Sequence, residues 1–313
     1  MSDVARAPVP QRAPRTIVDP AELAQALTEA RAAGERIGFV PTMGALHEGH
    51  LRLVDALRAP PPSTGLSPAT LLVASVFVNP TQFGPNEDLA RYPRDLEGDR
   101  QKLGSRGVHI VFAPTPELMY PQGEATRVRV SQLTDHLCGP FRPGHFEGVT
   151  TVVAKFFGMI GPCLASFGRK DYQQLAVLRR MVKDLHFPVE MLGVPTCREA
   201  DGLAMSSRNA YLSATDRARA VGIPRAISQA LRAHAGGERR AGTLRAELAR
   251  NVAAAMDSVD YAEVADPDTL QPFEGDAAVP DRALFVVAAR IGGTRLIDNA
   301  VSSEDSPATS AVP

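Results

Sequence analysis

Residues 36–57, Arg36-Ile37-Gly38-Phe39-Val40-Pro41-Thr42-Met43-Gly44-Ala45-Leu46-His47-Glu48-Gly49-His50-Leu51-Arg52-Leu53-Val54-Asp55-Ala56-Leu57, decide the reading of this 313-residue chain. Arg36 to Val40 is a short apolar run ended by Pro41, and Glu48 to Leu57 carries Leu51, Val54 and Leu57 at helical spacing. The stretch is therefore a strand, a tight turn and a helix. The same grammar recurs outward. Pro60 to Pro68 is a surface loop and Thr70 to Val78 a buried strand closed by Asn79-Pro80. A helix near Asp95 to Leu103, a strand Val108 to Phe112, a helix Val149 to Met159, a strand Cys163 to Phe167 and a helix Gln173 to Leu185 follow. Strands joined by helices imply right-handed crossovers, hence an α/β fold with a mostly parallel sheet. Ligands then collect beyond the carboxyl ends of the strands, so the residues after Val40, Val78 and Phe167 should converge.

From Cys197 the pattern changes to a polar loop, helical stretches Thr215 to Ala235 and Leu244 to Met256, and strands at Tyr261 to Val264, Leu284 to Ala288 and Arg295 to Ile297. This predicts a second, smaller α+β C-terminal domain over 197–300, after a first domain over 16–196. Residues 1–15 read as a disordered leader without an apolar signal core, and 301–313 as a frayed tail.

Composition sets the outer limits. Lys plus Arg number 34 against 35 Asp plus Glu, so a net charge of -1 offers no general basic field for nucleic acid or an anionic membrane. The longest apolar run, Ala69 to Val78, falls well short of the ~20 residues a membrane-spanning helix needs. Three cysteines, Cys138, Cys163 and Cys197, form no close pair and point to a reducing compartment.

Four constellations carry chemistry. Met43 to His50 runs from a strand end into a helix N-terminus, where free N–H groups and the macrodipole favour phosphate and His47 and His50, three apart, share one face. Gly49 between them leaves room for a base or ribose. An isolated His-x-x-His is usually a surface pair; its place at the end of a strand reverses that. His-Glu-Gly-His is one residue short of the zinc-hydrolase His-Glu-x-x-His spacing. Asn79 to Gly84 supplies uncharged amides, including Gln82, able to hold hydroxyls or a carboxylate. Phe167 to Gln174 contains Gly168, Arg169, Lys170 as a point charge for phosphate, Asp171 as an N-cap, and Gln174. Asp201 to Asn209 carries Met205, Ser206, Ser207 and Arg208, hydroxyls beside a guanidinium in a loop able to close on phosphate. The loop Arg142 to Phe146 has no assigned role by itself, and His109, His136, His186 and His234 are assigned to structure.

Taken together, these motifs and the closing Gly293 to Asn299 resemble the pantoate:β-alanine ligases, or pantothenate synthetases, of the nucleotidyltransferase superfamily with "HIGH" and "KMSKS" signatures. The resemblance runs from about Thr16 to about Asn299. It implies a Rossmann-like first domain and ATP-dependent condensation of (R)-pantoate with β-alanine, giving pantothenate, AMP and pyrophosphate through a pantoyl-adenylate. It further implies that Met43, Gly44, Ala45, Leu46, His47, Glu48, Gly49, His50, Gly168, Arg169, Lys170, Asp171, Cys197 through its backbone, Met205, Ser206, Ser207 and Arg208 hold ATP. His50, His47, Lys170 and Arg208 take the catalytic roles, Gln82 and Gln174 hold pantoate, with Gln82 also lining the β-alanine site, and Asp99 helps place Mg²⁺. A cytoplasmic homodimer without nucleic-acid or membrane partners completes the expectation. Another nucleotidyltransferase of the same superfamily, a non-catalytic nucleotide-binding relative and a zinc hydrolase are the competing readings.

Overall fold

The computed structural model describes residues 13–85 and 87–305. In chain order the elements of the first half are β1 (Arg15–Ile17), α1 (Pro20–Ala32), β2 (Ile37–Thr42), α2 (Glu48–Arg58), β3 (Leu71–Val76), α3 (Leu96–Ser105) and β4 (Ile110–Phe112). They continue with α4 (Pro116–Met119), α5 (Cys138–Phe141), α6 (His145–Ile160), β5 (Cys163–Gly168), α7 (Tyr172–Asp184) and β6 (Val189–Val194). Six parallel strands form one sheet in the order β1-β4-β3-β2-β5-β6. Helices cover both faces, as buried parallel strands require. The chain winds outward on one side of β2 and on the other side of β5, so the topological switch point lies between these two strands.

The second half contributes α8 (Ala214–Ala220), α9 (Gly222–Ala235), α10 (Ala241–Ala253), β7 (Ser258–Ala265), β8 (Leu284–Ile291) and β9 (Thr294–Val301). The three strands make an antiparallel sheet in the order β7-β8-β9, with its own core of Ile223, Ile227, Leu244, Leu248, Phe285 and Val287. A parallel α/β sheet with a smaller α+β unit is the architecture the sequence predicts. A separate apolar cluster of Leu137, Tyr172, Leu270, Leu284, Val286 and Val301 joins the two sheets' surroundings.

Several details differ from expectation. Pro41 does not end β2, which continues to Thr42. Thr42 turns its carbonyl to Phe77 N–H on the β3 side, so alternation points the Pro41 nitrogen toward β5, where pairing is registered only at Gly38 and Phe39. No ladder donor is lost there. Arg15, expected in the leader, is the first residue of β1 and pairs with Ile110; residues 1–12 lie outside the described residues. Val301, expected in the tail, is buried in β9, and Glu304 and Asp305 both pair with Arg169, while 306–313 lie outside the described residues. The stretch 215–235 is two helices because Pro224, near the start of α9, has no N–H to continue α8. The helix expected from Val149 starts at His145, and α1 and β6 are additional to the elements read from the sequence.

Candidate active site

The switch point brings the loop after β2 against the turn after β5. The Met43 to His50 loop turns through Gly44 (φ +81) and Ala45 (φ +52) before α2 begins. Asp99 of α3, 1 % exposed, holds this turn by accepting from Ala45 N–H at 2.9 Å and Leu46 N–H at 2.8 Å. A Cβ on Gly44 would stand 2.8 Å from the same carboxylate. Lys102 of α3 adds a bond to the Leu46 carbonyl at 2.9 Å. The start of α2 is thereby fixed from outside.

His47 is the N-cap of α2 and its Nδ1 accepts from Gly49 N–H at 3.1 Å, while His50 Nδ1 accepts from His47 N–H at 3.3 Å. Two histidines thus form the reciprocal capping box usually made by Ser or Thr with Glu. The ring centroids are 4.1 Å apart. Burial, reinforced by the Lys170 charge, lowers His47 to about 4; burial and then neighbouring His47 lower His50 to about 3. Both rings are neutral near pH 7, and because each Nδ1 accepts, each proton is on Nε2. Gly49 serves this box: a Cβ there would come within 2.9 Å of the His47 ring.

One cavity of about 240 Å³ is lined by Met43, His47, Gly49, His50, Gln82, Gly168, Lys170, Asp171, Gln174, Cys197, Met205, Ser206, Ser207 and Arg208. Residues after β2, β3 and β5 meet there, as strand-end geometry predicts. A groove of about 580 Å³ beside α7 is larger but holds neither histidine nor any Met205 to Arg208 residue. Asn79, 1 % exposed, orients Gln82 by donating to Oε1 at 3.0 Å and donates also to the Gly148 carbonyl at 3.1 Å. Gly148 allows α6 this close, since a Cβ would fall 2.4 Å from the Thr81 carbonyl oxygen. Gln174 has no hydrogen-bond partner for its side chain among the described residues. Its amide is available to a ligand.

The clamp loop is anchored at both ends. Cys197 O accepts from Met205 N–H at 2.9 Å, and Arg198 forms a buried pair with Asp298 of β9 at 2.7 Å, with 3 % and 2 % of the side chains exposed. Asn299 donates to the carbonyls of Arg169 at 3.1 Å and Lys170 at 2.7 Å, tying the turn after β5 to the same strand. Arg208 reaches over the cavity and pairs through Nε and Nη2 with Asp88 at 3.0 and 2.9 Å.

Against this geometry stand the known proteins. A family model described as Pantoate-beta-alanine ligase matches residues 15–301. A pantothenate synthetase 1 from Bradyrhizobium diazoefficiens is 50% identical over 92% of this chain and 98% of its own length, and a pantothenate synthetase from Syntrophotalea carbinolica is 53% identical over 87% and 92%. The chain belongs to the pantoate-beta-alanine ligase family. The crystal structure of the Thermus thermophilus member superposes with a TM-score of 0.82 at 49% identity, covering 91% of this chain and 98% of that one. The Francisella tularensis member, described as complexed with beta-gamma ATP and beta-alanine, superposes with a TM-score of 0.75 at 31% identity, covering 94% and 100%.

Within this ligase family member, some expected site residues make other contacts. Asp99, expected to help place Mg²⁺, accepts from the Ala45 and Leu46 amides and so clamps this loop. Arg169 turns away from the cavity to Glu304 at 2.6 Å and Asp305 at 3.0 Å. Glu48 pairs with Arg106 at 2.8 Å, and Gly44, Ala45 and Leu46 shape the turn without lining the cavity. Asp171 occupies the N-cap position of α7 without a capping hydrogen bond and faces the cavity. Sequence reading gave no role to the apolar wall of Phe77, Val149, Val152, Val153 and Phe156. Helical spacing along α6 was its only signal. Arg142 and His145, to which the sequence assigns no role, also line the cavity: Arg142 pairs with Glu87 at 2.5 Å and His145 Nδ1 meets the Gln82 carbonyl at 2.8 Å.

Proposed function

We propose that the cavity joins pantoate to ATP as an adenylate and then transfers the pantoyl group to β-alanine, releasing AMP. The observation that carries this reading is the convergence of two neutral imidazole donors, Lys170 and Arg208 on one side with the Gln82 and Gln174 amides on the other. A carboxylate attacking the α-phosphorus brings anion to anion, so fixed donors and cations are needed where charge grows on the phosphoryl oxygens. His47 and His50 offer Nε2–H there without requiring a proton change. Lys170 and Arg208 balance the phosphates, with Ser206 and Ser207 beside them. Gln82 and Gln174 take the hydroxyls and carboxylate of pantoate, and the Val149, Val152, Val153 and Phe156 wall suits its dimethyl carbon.

In the first step a pantoate carboxylate oxygen bonds to the α-phosphorus and the bond to the bridging oxygen breaks, so pyrophosphate leaves with that electron pair. In the second the β-alanine nitrogen bonds to the acyl carbon and AMP departs. The adenylate is open to hydrolysis, and the Met205 to Arg208 loop over the cavity excludes water. Mg²⁺ would accompany the ATP; no group of three or more His, Cys, Asp or Glu able to cage a metal occurs among the described residues. When bound, the ion would offset the charge of the ATP phosphates, as is common for Mg²⁺.

Resemblance carries two further parts of the proposal: a homodimer joined through the larger domain, and operation in the cytoplasm. No helix among the described residues is long and apolar enough to cross a membrane. Sedimentation tests the dimer and cell fractionation the location. A turnover assay with ATP, Mg²⁺, pantoate and β-alanine, each omitted in turn, tests the reaction. Pyrophosphate release that needs pantoate, with pantothenate formed only when β-alanine is added, is expected; ADP and phosphate as products would overturn it.

A further inference from the structure

The segment after β3 reaches across to the Met205 to Arg208 loop through a row of contacts. Asp88 takes Arg208 in a bidentate pair, Tyr92 Oη lies 3.5 Å from Ser207 Oγ, and Tyr211 Oη donates to the Arg91 carbonyl at 3.3 Å. The Arg91 guanidinium carbon also lies 5.9 Å from the centre of the Tyr211 ring. Residues 88–92 therefore brace residues 207–211. Asp88 is partly buried, its side chain 13 % exposed, and both of its oxygens are given to Arg208.

A guanidinium has two edges that can each grip an oxyanion pair. Here the Nε and Nη2 edge belongs to Asp88, which leaves the Nη1 and Nη2 end as the fork Arg208 has left to offer. Arg208 lines both the cavity that holds the histidines and the adjoining cavity of about 600 Å³ between the two sheets, to which Lys170 and Ser206 also contribute. An arginine side chain has several rotatable bonds, and fixing it before the ligand arrives removes an ordering cost from binding.

We propose that Asp88 is a positioning residue for phosphate recognition: it holds one edge of Arg208 so that the other edge is presented to the nucleotide's phosphates. The inference rests on the reading that Arg208 meets those phosphates, and the test separates the two. ATP and pyrophosphate affinities are measured by calorimetry, and KM and kcat by turnover, for the full chain, Asp88→Asn, Arg208→Gln and the double variant.

Arg208→Gln should weaken ATP and pyrophosphate at least tenfold. Asp88→Asn should weaken both by about three- to tenfold, the size of losing one ordinary hydrogen-bond partner, with the pantoate KM unchanged. In the Arg208→Gln background Asp88→Asn should then have no further effect, because Asp88 acts only through Arg208. Additive losses would mean a general structural role and overturn the proposal. Tighter ATP binding by Asp88→Asn would also overturn it, since Asp88 would then be competing with phosphate for Arg208. An unchanged ATP affinity in Arg208→Gln would overturn the underlying reading of Arg208 as well. Asp88→Ser gives an independent measurement of the same loss should the Asn variant fold poorly, and Asp88→Glu, which keeps the charge, should recover part of the affinity.

Discussion

The backbone N–H of His47 donates to Nδ1 of His50 while the His47 ring caps Gly49, so the helix start that would bind phosphate through its own amides has exchanged two of them for imidazole Nε2–H groups. The exchange extends the donors beyond the backbone and makes them neutral, directional and set by the helix itself. His50→Ala removes one such donor and also opens the capping box. Turnover should fall by roughly 10² to 10³, the usual size for one lost donor to a developing oxyanion. His50→Gln, which keeps an N–H on a side chain, should recover part of the loss. An unchanged rate in folded His50→Ala protein would remove the residue from the chemistry.

Acid should destabilise the fold through the same rings. Burial holds His47 at about 4, His50 at about 3 and His145 at about 4, each below the ordinary 6.5. Between those values and 6.5 the unfolded chain binds protons that the folded chain refuses, so unfolding free energy falls as pH drops below 6.5 and the loss from these groups ends near their folded values. Urea midpoints at pH 7, 6 and 5 should decline in that order. The decline should be shallower in His50→Gln, and an equal slope in that variant would mean the ring is protonated in the folded protein.

Much of this arrangement is written locally. The Met43 to His50 and Phe167 to Gln174 motifs each sit between a strand and the helix that follows, and a parallel sheet then brings them together without further information. What could not be read depends on contacts far apart in the chain. Nothing local to Asp99 foretells its bonds to amides 53 and 54 residues earlier. Nothing local to Arg169 foretells its pairing with residues 304 and 305, 135 and 136 positions on. Pro41 breaks a strand by rule, and only the short β5 pairing shows why it is tolerated.

Asp99 gives a test that separates these roles. Asp99→Asn keeps one acceptor oxygen and loses the other, so one of the Ala45 and Leu46 amides is left unpaired at a cost of about 1 to 3 kcal/mol. Thermal stability and turnover should both fall, while the Mg²⁺ concentration for half-maximal activity should not move. A large rise in that concentration with stability unchanged would place Asp99 at the metal.

Gln82→Ala and Gln174→Ala should each raise the KM for pantoate more than that for ATP, since a buried polar substrate group loses a partner worth about 1 to 3 kcal/mol. Gln174→Ala should do so with little change in stability, because the amide has no protein partner among the described residues. Gln82→Ala also frees Asn79 and should cost some stability. Weaker ATP binding with pantoate unaffected, in steady-state measurements on either variant, would show that these amides face the nucleotide.

The order of bond changes can be followed by isotope. An ATP-dependent ligase can activate a carboxylate by attack at the α-phosphorus, which leaves a carboxylate oxygen in AMP, or at the γ-phosphorus, which leaves it in inorganic phosphate. The cavity places His47 and His50 Nε2–H, Lys170 and the Met205 to Arg208 loop around one volume, an arrangement suited to stabilising an in-line exchange at the α-phosphorus and to holding the departing pyrophosphate. With ¹⁸O in the pantoate carboxylate, label should therefore appear in AMP and not in pyrophosphate. The first half-reaction needs only ATP, Mg²⁺ and pantoate, so enzyme at high concentration without β-alanine should release a burst of pyrophosphate approaching one per site. The burst should shrink in Lys170→Ala while the labelling pattern of whatever product forms stays the same, because the lysine changes the barrier and not the atom attacked. Label in inorganic phosphate, with ADP as the other product, would place the attack at the γ-phosphorus and exclude the adenylate.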